Sequence, residues 1–124
     1  MKCKSEKIEV RKAAMYWVLT VGYMSLIFYL SSQDFSLSKL PTNSDKVIHA
    51  IIYFPLAFLI YRSLWNCKIK KYIFVIAFVL AGIYGISDEF HQSFVPGRDS
   101  SLGDAAADFV GALLGSYGAS IFKP

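Results

Sequence analysis

Four apolar runs, Ala13 to Leu30, Val47 to Tyr61, Tyr72 to Ile86 and Ala105 to Phe122, decide what this chain can fold into. Two have about the eighteen residues a helix needs to cross the hydrocarbon of a bilayer. The two shorter ones are each extended by a turn with sparse polar groups, among them Arg62, Ser63 and Ser87. With 55% of 124 residues apolar and 18% charged, a soluble core of this size cannot hide such runs, and helices apolar all round would leave large exposed patches. The pattern predicts one all-α domain over residues 1–124, an integral membrane bundle of four transmembrane helices at approximately 13–31, 47–65, 72–92 and 104–122.

The net charge of +4 does not point to nucleic acid, because the bases flank the apolar runs instead of forming a basic surface. Lys2, Lys4, Lys7, Arg11 and Lys12 precede the first run, and Arg62, Lys68, Lys70 and Lys71 lie around the connection between the second and third. The other two loops carry only Lys39, Lys46 and Arg98. The positive-inside rule then predicts a cytoplasmic amino terminus and middle loop, and four spans return the carboxyl terminus to the cytoplasm. The loops Ser31 to Lys46 and Asp88 to Asp104 share the outer face. The first run imitates a signal peptide, but Tyr29-Leu30-Ser31-Ser32-Gln33 lacks a small-x-small cleavage pattern, so it reads as an uncleaved helix. Cys3 and Cys67 fall on the reducing side and have no zinc-ligand neighbours.

The polar residues inside or beside the runs are few and spaced. Asp45, His49 and Tyr53 follow one another at i, i+4, i+8, with Lys46 three before His49, so all four project from one side of a helix. An ionisable group deep in hydrocarbon costs roughly 2.5–3.5 kcal/mol on insertion scales, which turns that side into the bundle or a wet cleft. The bland alternatives are a neutral core histidine for His49 and a snorkelling side chain for Lys46. Pro55 removes a backbone donor from the same helix. In the third run Ala77, Ala81, Gly85 and Glu89 form an i+4 row whose small members admit a neighbouring helix, and Asp88 and Gln92 are i, i+4 partners. Val95-Pro96-Gly97-Arg98 suits a type II turn, and Ser101-x-x-Asp104 suits a capping box, the structural reading of Asp104. Asp108 lies inside the last run, beside a small-residue face of Gly103, Ala107, Gly111, Gly115 and Ala119 that suits either bundle packing or a homo-oligomer.

Ser31-Ser32-Gln33, Asp45-Lys46-x-x-His49-x-x-x-Tyr53, Asp88-Glu89-x-x-Gln92 with Val95-Pro96-Gly97-Arg98, and Asp104 before a glycine-rich last helix together resemble the VanZ-like membrane protein family. The resemblance runs from the first helix to the end of the chain and departs at Asp108, where members usually carry asparagine. It implies a small multi-pass protein of the bacterial plasma membrane. The family's namesake is associated with low-level teicoplanin resistance.

All four motifs fall at the predicted outer ends of their helices. Ser32, Gln33, Asp45, Lys46, His49, Tyr53, Asp88, Glu89, Gln92, Arg98, Asp104 and Asp108 are accordingly the candidate ligand-binding residues near the outer face. One reading is a non-catalytic module that binds a membrane lipid or envelope amphiphile by its polar head, with Lys46 and Arg98 pairing to phosphate or carboxylate, and so alters teicoplanin susceptibility. The other is an intramembrane enzyme acting on a lipid head group. There His49, Asp88, Glu89 and Asp104 are the catalytic candidates, and the same four could hold a divalent metal as cofactor. No serine or cysteine nucleophile motif is present.

Overall fold

The computed structural model describes residues 2–32, 44–94 and 102–122; for residues 2–6, 8, 44 and 45 it describes the backbone alone. Four helices account for nearly all of it: α1 Lys2–Ser31, α2 Ser44–Asn66, α3 Ile73–Gln92 and α4 Leu102–Ile121. Three of them contain a segment long and apolar enough to cross a membrane, Glu9–Ser31, Lys46–Asn66 and Ile73–Gln92. α4 has 20 residues, but Asp104, Asp108 and its glycines and serines make it less apolar.

α1 begins eleven residues before the expected start at 13. The preceding segment holds Lys, Glu and Arg with no Gly or Pro, all good helix formers, so the helix continues past the apolar run. α2 runs through Pro55 from Ser44 to Asn66. It ends in a Schellman turn, in which the Ile69 N–H donates to Leu64 O and the Lys68 N–H to Trp65 O, both at 3.1 Å. Lys68 takes the left-handed position with φ 65°. The short turn that follows makes α2 and α3 antiparallel neighbours.

The core sits between α2, α3 and α4, and the most extensive interface joins α2 to α4. The reason lies in the small residues of α4. A Cβ built on Gly111 would collide with the backbone of Ala50, and one on Gly115 with the carbonyl of Phe54. The two helix backbones therefore touch where side chains are missing. α1 is more peripheral, with Phe28 and Tyr29 exposed. Its polar groups nevertheless dock inward: Tyr23 Oη donates to Ile52 O and Tyr84 Oη to Met24 O, both at 2.6 Å. Buried Thr20 and Ser63 share a 3.0 Å hydrogen bond.

The two ends of the bundle differ in chemistry. At one end lie the amino-terminal part of α1, the carboxyl-terminal part of α2 and the turn into α3, linked by Trp17 Nε1–H to Cys67 Sγ at 3.1 Å and by Lys68 to Glu9 at 3.5 Å. Lys70 lies over the Trp65 ring, and Arg62 over Phe58 while donating to Phe122 O. The opposite end gathers the buried acids.

Candidate functional site

The acidic end is built by three helices. α2 brings His49 and Tyr53 from successive turns of one face, α3 brings Asp88, Glu89 and Gln92 from its last turn and a half, and α4 brings Asp104 and Asp108 from its first two turns. Antiparallel packing puts the start of α2, the end of α3 and the start of α4 at one level, so i+4 spacing within each helix becomes proximity between helices.

His49 Nδ1 donates to Asp108 Oδ1 at 2.8 Å and lies 3.4 Å from Glu89 Oε1. Tyr53 Oη donates to Asp88 Oδ2 at 3.2 Å, and Gln92 Nε2 approaches the same oxygen at a long 3.4 Å. Asp108 is fully buried, and Tyr53, Asp88, Glu89, Gln92 and Asp104 are buried as well. Gly85 makes room for this arrangement: a Cβ there would lie 2.8 Å from Asp108 Cβ and 3.0 Å from its Oδ2. The small-residue row on α3 therefore ends at the site, with Ala77, Ala81 and Gly85 buried below Glu89.

The charge inventory is lopsided. Among the described residues His49 is the only basic group within ion-pair distance of Asp88, Glu89 or Asp108. Asp88 Oδ1, Glu89 Oε2 and Asp108 Oδ2 are buried and have no hydrogen-bond partner among the described residues. Such atoms are rare in folded proteins, because a buried polar group that forfeits its hydrogen bond costs roughly 1–3 kcal/mol, more when charged. One donor atom each from His49, Glu89 and Asp108 lies within 4.8 Å of the others, the spacing of a metal-ligand set.

Several candidates from the sequence fall elsewhere. Gln33 and Arg98 lie outside the described residues, as does the side chain of Asp45. Lys46, half-buried at the start of α2, makes no ion pair among the described residues. Ser32 bonds not to the acids but to His91 Nε2 at 2.9 Å, and the His91 ring stacks on Phe28 at 4.4 Å. Of the four metal candidates, His49 and Glu89 belong to the three-ligand set, in which the third member is Asp108 and not Asp88 or Asp104. His91 carries no motif in the sequence, and Ser31 enters there only as part of Ser31-Ser32-Gln33. His91 meets α1 through Ser32 and Phe28; Ser31 is the buried member of the serine pair, its hydroxyl without a partner among the described residues.

A helical bundle with three membrane-length apolar segments, and with a histidine and several buried acids at one end, defines a polytopic membrane protein. Residues 15–123 match the family model described as VanZ/LLP1. The chain belongs to the VanZ/LLP1 family and is a VanZ-like membrane protein. No curated protein and no solved structure matches it.

Proposed function

We propose that this protein resides in the bacterial plasma membrane with all four helices crossing it and both termini cytoplasmic, and that the acidic end of the bundle, near the outer face, binds the polar head of a membrane lipid or envelope amphiphile. The observation that carries this reading is that Asp88, Glu89 and Asp108 each hold a buried carboxylate oxygen with no partner among the described residues. A head group that brings amine or hydroxyl donors satisfies them. Lys46, one turn before His49 and unpaired among the described residues, supplies a cation for the phosphate of the same head group. The orientation rests on the basic residues of the opposite end, which favour the cytoplasmic side. By occupying a head group at the outer surface, the protein lowers susceptibility to a lipid-tailed glycopeptide such as teicoplanin.

Native mass spectrometry of the protein released from nanodiscs of mixed phospholipid tests this. Wild-type protein is expected to retain one lipid, and Asp88→Asn or Lys46→Ala to retain it at least about tenfold less, the equivalent of about 1.4 kcal/mol. Equal retention by all three proteins removes the head-group reading.

The His49–Asp108 hydrogen bond favours a second reading, because an imidazole held by a buried carboxylate is the arrangement of an oriented general base. On that reading the site is an enzyme acting on the head group, with Glu89 as the acid. Lipid extracts of cells carrying the wild type or His49→Ala then differ by one converted species; identical lipidomes exclude it.

A further inference from the structure

We propose that His49, Glu89 and Asp108 form a binding site for one divalent transition-metal ion of the Zn2+ or Mn2+ class, held between α2, α3 and α4. Each helix contributes one ligand, so the ion ties together the three helices that make the core.

Geometry is the first support. Ligand atoms bound at the usual metal–nitrogen and metal–oxygen lengths stand about 2.9 Å apart at cis octahedral positions and about 3.4 Å apart at tetrahedral ones. His49 Nδ1 lies 2.8 Å from Asp108 Oδ1 and 3.4 Å from Glu89 Oε1, and all three donors fall within 4.8 Å. Nδ1, which donates to Asp108 in the metal-free site, releases that proton when the ion binds, and the neutral imidazole keeps its hydrogen on Nε2.

The second support is independent of spacing. Asp108 is fully buried and Glu89 more than nine-tenths buried, yet Asp108 Oδ2 and Glu89 Oε2 have no hydrogen-bond partner among the described residues. A divalent ion balances both carboxylates at once, where the single imidazole balances at most one. Asp88 stays outside the three-ligand set: its Oδ2 accepts from Tyr53 and Gln92, and only its Oδ1 is left without a hydrogen bond among the described residues.

The donor chemistry selects the ion. An imidazole nitrogen with two carboxylates suits Zn2+, Mn2+ or Fe2+, whereas Ca2+ prefers an all-oxygen shell of six to eight ligands and Mg2+ retains most of its water. Three protein ligands leave open positions for a phosphate oxygen, so the ion gives an acidic pocket a cationic face. That last step rests on the head-group reading; the ion site itself does not.

The test is a Mn2+ titration of the full chain in detergent without added lipid, followed by loss of the free Mn2+ electron paramagnetic resonance signal and by competition with Zn2+ and Mg2+. We expect one ion per chain, displaced by Zn2+ and not by an equal concentration of Mg2+. Asp108→Asn and Glu89→Gln, which keep side-chain shape, are expected to weaken binding by more than about tenfold while their far-ultraviolet circular dichroism matches that of the wild type. Binding of well under one ion per chain, or wild-type affinity in both variants, overturns the site. If the ion binds but phospholipid retention does not change with Mn2+, the metal site stands and its link to a head group is lost.

Discussion

Asp108 shows how strongly one residue here depends on another's absence. Its carboxylate occupies the space above Gly85 that any side chain on α3 would fill. Gly85→Ala is therefore expected to displace Asp108, weaken its hydrogen bond to His49 and cost about 1–3 kcal/mol, read as a lower midpoint of thermal unfolding in detergent. Tyr53→Phe is a subtler change. It keeps the buried ring but removes the stronger of the two donors to Asp88 Oδ2, leaving only the long contact from Gln92. The expected loss is again about 1–3 kcal/mol, and Tyr53→Phe with Asp88→Asn together should lose less than the sum of the two single changes. At this scale the sequence was informative about membership and poor about pairing. His49, Tyr53, Asp88, Glu89 and Gln92 could be picked out because i+4 spacing within a helix is a local property. That His49 meets Asp108, and that Ser32 meets His91, depends on how the helices are rotated against one another.

Among the helices, α4 does the most with the least side chain. Gly111 and Gly115 let it touch the backbone of α2, whereas Gly22 on α1 has nothing within 4 Å of where a Cβ would stand. The same substitution should have opposite signs at the two places. Gly111→Ala pushes α2 and α4 apart and is expected to destabilise by about 1–3 kcal/mol, while Gly22→Ala gains helix propensity and is expected to stabilise by roughly 0.5–1 kcal/mol. Denaturation with an ionic detergent, followed by circular dichroism, measures both. The turn after α2 makes a third case, since Lys68 sits at the left-handed position that normally belongs to glycine. The small-residue stripe was visible in the sequence. Whether it served the bundle or a second chain was not, because the stripe looks the same in either role; within this bundle α2 occupies it at Gly111 and Gly115.

The whole molecule is polarised along its axis, with basic side chains at one end and buried acids at the other. Cys67, exposed at the basic end, is a natural reporter of orientation. In a Cys3→Ser background a membrane-impermeant maleimide is expected to label Cys67 in inside-out vesicles and not in intact spheroplasts, and a fusion after Ser36 is expected to report the outer side. Labelling from outside would invert the bundle and move the acid cluster to the cytoplasmic face.

Taken alone, the sequence determined an all-helical chain of four helices, three of them with membrane-length apolar segments, and the residues that polarity forces away from lipid. Both are consequences of hydropathy and of the 3.6-residue period, which act over short stretches of chain. Only the tertiary structure decided which acid the histidine holds. Asp104 and Asp108 sit one turn apart on α4, each with a local reading of its own. It is the close approach of α4 to α2, together with the gap left by Gly85 on α3, that sets Asp108 against His49 and Glu89. Interhelical contact at bond length is a property of packing, and no spacing within one helix encodes it.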